Sequence, residues 1–378
     1  MCKKRKINSL TILNKTRGYG ASRSKLKNGF YALIFAGLMA AGLAAAFFFA
    51  APQPLAASIN SLAGFSSDVN DYTFEFYDAD NGLVNPYITA LTGDGKGALY
   101  VGTWSGVMKF DGSIFSKIEG AGGRVEGVAP QYISALYYDT PSETLWIGSM
   151  FNKNAGLFKY RGGHFTRYSA IDGLPSDNIS SICASGGKIY AGTWGGGVAV
   201  FDQNRFETLS KKNGLSDNYI SSLAYSEKTS SLWAGSKFSG ANLIKDGKIT
   251  VMDDHTSTLV NNYVHRIVID EAQNTVYFGT SGGVSKFNGA AWQNIITGPD
   301  ALCNNFIKDI HISNSKSYDK AVLYFMSAGD LSISCDNAFY NINIKKLSGR
   351  DLELNAVYAD DNYIYLATDR GLCKIGRR

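Results

Sequence analysis

Beyond residue 71 the chain is written in short apolar runs in which bulky positions alternate with small or polar ones, each run closed by Gly, Asn-Gly or Asp-Gly. Alternation with a period of two predicts half-buried β-strands, and the Gly-rich punctuation predicts tight turns between them. The 3.6-residue stripe that helical repeats would show is missing.

The pattern recurs. A strand ending in a small pair occurs seven times, at Tyr100-Val101-Gly102-Thr103, Trp146-Ile147-Gly148-Ser149, Tyr190-Ala191-Gly192-Thr193, Trp233-Ala234-Gly235-Ser236, Tyr277-Phe278-Gly279-Thr280, Tyr324-Phe325-Met326-Ser327 and Tyr365-Leu366-Ala367-Thr368, with a spacing of 41 to 47 residues. Each is preceded by an apolar strand in which two bulky residues flank two smaller or polar ones, as in Ile88 to Leu91 or Ile220 to Leu223. A third strand follows a Gly-rich turn, as in Gly106 to Gly112, and a fourth follows a tight turn, as in Ile114 to Ile118. Four short strands at this period predict a β-propeller, because one four-stranded sheet cannot bury both faces and must stack on its neighbours in a ring. The seventh repeat stops after its third strand, Gly371 to Ile375, while Tyr72 to Tyr77 stands alone before the first repeat. Pairing the two supplies the missing strand and removes an open edge. The expected fold is therefore all-β, a seven-bladed propeller with its N-terminal strand closing the last blade, preceded by one transmembrane helix.

That helix is read from residues 30–51, 22 residues without a charge, long enough to span a hydrocarbon core of roughly 30 Å. Nine Lys/Arg lie in residues 1–28 and none in the 44 residues after the apolar run, so the positive-inside rule places the N-terminus in the cytoplasm and the rest outside. The expected domains are a basic tail (1–28), a membrane helix (29–51), a linker (52–71) and the propeller (72–378). The expected location is a bacterial inner membrane, single-pass, with the propeller in the periplasm or outside the cell; the alternative is secretion after cleavage near Ser58. The charge of +5 comes from the tail alone. Without its nine cations, 28 basic residues face 32 acidic ones, and a nucleic-acid partner is not expected. The five Cys show no metal or CxxC spacing, and Cys183, Cys303, Cys335 and Cys373 fall too far apart in the repeats to pair.

Asp172-Gly173-Leu174-Pro175-Ser176-Asp177-Asn178-Ile179, Asn213-Gly214-Leu215-Ser216-Asp217-Asn218-Tyr219-Ile220 and the Leu-Trp-x-Gly-Ser/Thr…Gly…Phe-Asp-Gly pattern resemble the two-component regulator propeller repeat. The resemblance covers residues 72–378, is strong in blades 1, 3 and 4, and weakens in blades 6 and 7, where Gly becomes Met326 and Ala367. It implies an extracytoplasmic sensor region of a bacterial membrane receptor, often one responding to glycans. Such receptors continue into a further β-domain, a second membrane helix and a kinase. This sequence ends within the last blade, so signalling by that route is not expected.

Ligand sites are expected on the face formed by the inter-blade loops, where rigid blades hold variable turns. Trp104 and Trp194 sit in those turns, and Tyr87, Tyr132, Asn178, Tyr219, Tyr263 and Phe306 stand just before the inner strands, with Asn218 adjacent. Aromatic rings and amides suit a glycan, a peptide or a protein partner; the alternative is that the rings wedge between blades and the Asn residues make turns. Where other inner strands carry Thr, Ser or Ala, blades 5 and 6 carry His265-Arg266 and Lys308-Asp309, which must be paired or solvated and form a candidate anion site. No cofactor or metal is implied, and no nucleophile elbow, P-loop or dinucleotide fingerprint occurs. The leading expectation is a membrane-anchored, non-catalytic binding propeller, with some sensory role. The alternative is a metal-dependent lyase or hydrolase in the channel, where His265 with Asp309 is the pair to test.

Overall fold

A computed structural model describes residues 65–118, 129–314 and 321–378. The basic tail, the span at 30–51, most of the linker and Cys2 lie outside the described residues. Among these residues the one α-helix, Ile344–Ser348, has five residues, and no helix is long and apolar enough to cross a membrane.

Seven antiparallel four-stranded sheets follow one another along the chain. Their first strands, Ile88–Gly93, Ile133–Asp139, Ile179–Ser185, Ile220–Ser226, Val264–Asp270, Asp309–Ser313 and Leu354–Ala359, line a common channel and are the inner strands of blades 1 to 7. In blades 1 to 6 the remaining strands pair outward in chain order. Blade 7 takes its outermost strand from the other end of the chain: Tyr72–Tyr77 pairs with Leu372–Arg377 in the register Tyr72↔Arg377 to Tyr77↔Leu372. The expected closure is present. It leaves no blade with an incomplete edge, and Lys374 reinforces it by reaching Glu75 on the closing strand (3.3 Å) and the Gly112 carbonyl of blade 1 (3.3 Å).

The apolar core lies between blades rather than within one. Ala90, Tyr100 and Val107 of blade 1 pack on Ile133, Leu145, Ile147 and Phe158 of blade 2, and the other seams repeat this arrangement. The recurring small pair follows from that packing. A Cβ on Gly102 would lie 2.6 Å from Cγ2 of Ile133 in the next blade, and one on Gly192 would lie 2.7 Å from Cγ2 of Ile220. At the 6–7 seam the facing residue is Leu354, without a β-branch, and Met326 is accepted in the same cluster. The Asp/Asn-Gly-Leu motif forms a single 3-10 turn ended by a left-handed glycine (φ +96° at Gly173), after which Leu83, Leu174 and Leu215 are buried. Trp146 and Trp233 are core residues, 4% and 3% exposed.

Candidate functional site

Six inner strands carry a β-bulge at one equivalent position, and the bulged residues are Thr89, Ser134, Ser180, Ser221, His265 and Asn355. A bulge frees a residue from the ladder and re-aims its side chain. Five of the six donate across the seam to the buried first residue of the next blade. Thr89 bonds the Ile133 carbonyl (2.6 Å), Ser134 that of Ile179, Ser180 that of Ile220, Ser221 that of Val264, and Asn355 Nδ2 closes the ring on Ile88 (2.9 Å). This is why small hydroxylated residues recur there.

Blades 5 and 6 interrupt the ring. His265 turns instead to Ser281 (Nε2 to Oγ 2.8 Å) and packs on Phe306, and Lys308 pairs with Glu353 of blade 7 (3.2 Å). Arg266 Nε lies 3.1 Å from Asp309 Oδ1, with its N–H not aimed at that oxygen, so the contact is an ion pair rather than a hydrogen bond. Asp309 also accepts the N–H of Ile310 (3.0 Å) and of Val357 in blade 7 (2.9 Å). Burial pushes the Asp309 carboxyl above its usual range, against the pull of Arg266. Desolvation, helped by Lys237 and Lys308, lowers the His265 imidazole to about 4. Desolvation likewise lowers His311, whose Nε2 contacts the Ala359 carbonyl, to about 4. Both imidazoles are thus neutral at neutral pH. The expected pairing of the blade 5 and 6 ions is present for Arg266, Asp309 and Lys308. His265 and Asp309 share no hydrogen bond, so they do not form an acid–base pair. The channel encloses about 470 Å³.

On the inter-blade face, Tyr87 stacks on Trp104 (centroids 4.4 Å), which neighbours Tyr132 (6.0 Å). A second run joins Trp194 to Tyr219 (5.2 Å), Phe238 (6.1 Å) and Tyr263 (5.5 Å). Trp104, Tyr132, Phe151, Tyr219, Phe238, Tyr263 and Phe306 are all exposed, from 39% to 67%. Tyr87 and Trp194 are half-buried, and Trp194 is further tied down by a backbone bridge to Tyr219. Phe151 and Phe238, whose turns the sequence places on this face without marking them as ligand contacts, occupy the turn that holds Trp104 and Trp194 in blades 1 and 3. Tyr132 and Phe151 adopt left-handed backbone, φ +50° and +59°. That region is unfavourable for bulky residues, and here Tyr132 is held in it by bonds from its N–H to Trp104 O (2.9 Å) and from Met150 N–H to its carbonyl (3.2 Å). In blades 6 and 7 the face turns polar, with Asp369 and Arg370 in the last turn and Lys308 and Glu353 beside the channel.

The amides have loop duties. Asn178 Oδ1 accepts the Phe151 N–H (2.7 Å) and Asn218 Oδ1 that of Lys211 (2.8 Å). Asp253 and Asp254 form a turn, Asp253 accepting the N–H of His255 and Thr256 and Asp254 bonding Asn262. Among the described residues no group of three or more His, Cys, Asp or Glu is placed to hold a metal. Among the described residues no disulfide joins Cys183, Cys303, Cys335 or Cys373, and of these four Cys303 alone is exposed.

The architecture defines the class, a seven-bladed β-propeller. No family model matches the chain, and no curated protein matches it. Solved structures do. The extracellular domain of a protein assigned as a hybrid two-component system from B. thetaiotaomicron aligns with a TM-score of 0.65 at 18% identity, over 80% of this chain and 41% of that one. A second such domain from the same organism gives 0.60 at 18%, over 81% of this chain and 42% of that one. Virginiamycin B lyase from Staphylococcus aureus gives 0.61 at 13%, over 81% of this chain and 100% of that one. At these identities the likeness is one of fold. The chain spans about two fifths of the length of the two sensor domains it matches.

Proposed function

We propose that the protein is an extracytoplasmic, membrane-anchored propeller that binds an extended glycan or a peptide segment of a partner on its inter-blade face, without chemistry of its own. The observation that carries this reading is the collection of seven exposed aromatic side chains on one face of the ring. Rings that could be buried between blades instead stand open, two of them on unfavourable backbone, and strain of that kind clusters at binding sites. Trp104 is the central anchor: the residue is 46% exposed and its indole stacks on Tyr87. The likeness to extracellular sensor domains supports a sensory setting, and the apolar run at 30–51 supplies the anchor. The test is binding of the full chain to oligosaccharide and peptide arrays, with Trp104→Ala beside it; binding that is independent of Trp104 refutes the assignment. Protease added to cells with a permeabilised outer layer should remove the propeller and spare an N-terminal tag, whereas a soluble form starting near Ser58 would establish cleavage instead.

A second reading, a channel lyase or hydrolase, draws on the neutral His265 imidazole and the fold likeness to a lyase. It lacks an acid partner for His265, since Asp309 is committed to Arg266 and two backbone N–H groups. A stoichiometric divalent metal in purified protein would favour it.

A further inference from the structure

The interrupted seam leaves donors unused. In blades 3 and 4 the third inner-strand position carries Ser181 and Ser222, whose hydroxyl oxygens accept the N–H of Leu223 and Ile267 in the next blade (2.9 Å each). Blade 5 has Arg266 at that position. The 5–6 seam needs only its Nε, which lies beside Asp309 and is fully buried. Among the described residues neither Nη group has a hydrogen-bond partner, and the side chain is 44% exposed although it rises from an inner strand into the channel. A guanidinium held beside Asp309 by charge, with its Nη pair uncommitted, offers a two-donor fork, the shape that matches the two oxygens of a carboxylate. Lys308 and Lys237 add positive charge around His265. Among the charged residues that line the channel, Arg266 and Lys308 are balanced by Asp309 and Glu271, so a carboxylate is favoured by the two-donor geometry of the fork and not by net charge.

We propose that the channel binds a carboxylate group, with the Nη pair of Arg266 taking its two oxygens and Lys308 supplying the second positive charge. The group belongs either to a small free acid or to the acidic end of a larger ligand entering from the aromatic face. The site lies within the channel and does not depend on that face being a docking surface.

The experiment is thermal unfolding of the full chain in detergent at neutral pH and constant ionic strength, with sodium acetate exchanged for sodium chloride. A saturable rise in melting temperature is expected with acetate. In Arg266→Lys, which keeps the charge beside Asp309 but loses the fork, the acetate concentration for half-effect should rise at least tenfold. Should that variant not fold, Lys308→Gln, whose partner Glu353 is exposed, should show at least a threefold rise. Trp104→Ala should leave the acetate response unchanged, which separates this site from the aromatic face. D-glucuronate acting at lower concentration than acetate would support an acidic sugar as the source, and equal potency would support a free acid. The proposal is overturned by a response that is absent, that is the same in wild type and the channel variants, or that is stronger with inorganic phosphate than with acetate.

Discussion

From blade 1 to blade 5 each blade holds the next by one device, a bulged Thr or Ser donating to a buried carbonyl, while the 5–6 and 6–7 seams use ions at the same level. The inter-blade face shows the same division. Exposed rings run over blades 1 to 5 with Phe306 at the end, and charged residues take over toward blade 7. Repetition identifies what the scaffold requires, because every hydroxyl in the ring performs the same task. Residues that leave the repeat are free of that task, and they gather at the channel and its mouth.

The largest effect that would break this division concerns the scaffold alone. Deleting residues 72–77 strips Leu372–Arg377 of its partner, exposes an edge and opens the ring. Loss of cooperative folding and aggregation in size-exclusion chromatography are expected; an unchanged monomer with an unchanged melting temperature would remove the closing strand from the account. Next come the core indoles. Trp146→Ala and Trp233→Ala should each lower stability by roughly 3–5 kcal/mol in denaturant melts.

A smaller effect distinguishes the ionic seams by pH. The folded His265 and His311 titrate near 4 against about 6.5 unfolded, so the unfolded chain takes up protons first as pH falls. Their contribution is complete above pH 6.5, drains between 6.5 and about 4, and levels off below. Asp309, raised by burial, works in the opposite direction, so the readout is the difference between wild type and a His265→Gln, His311→Gln variant. The variant should lose less stability across that window in urea melts at stepped pH. The smallest effect belongs to one regular seam: Ser180→Ala should cost about 1 kcal/mol, leaving the Ile220 carbonyl without its donor.

Much of the scaffold was readable from the residues because burial on both faces of a blade writes itself into the sequence. Gly102 must be small against Ile133, and the Tyr72 strand must pair because the seventh repeat lacks one. The seam ring was visible only as a run of small residues, since its acceptors are backbone carbonyls some 40 to 45 residues on, which carry no side-chain signal. The repeat places the turns of Phe151 and Phe238 on the inter-blade face, but the outward direction of the two rings carries no sequence signal; at Phe151 it goes with left-handed backbone. Asn178 and Asn218 suggested ligand contacts, yet their carbonyl oxygens hold loops, a duty fixed by partners in neighbouring turns.

The central claim is that the exposed aromatic face binds while the buried aromatic residues fold the ring. It is tested most directly by measuring, on the same preparations of full chain, array binding and melting temperature for wild type, Trp104→Ala and Trp146→Ala. The account predicts that Trp104→Ala melts within a few degrees of wild type and loses on the order of 2 kcal/mol of binding, while Trp146→Ala melts far below wild type, having lost roughly 3–5 kcal/mol of stability. Equal destabilisation by both substitutions, or undiminished binding by Trp104→Ala, would contradict it.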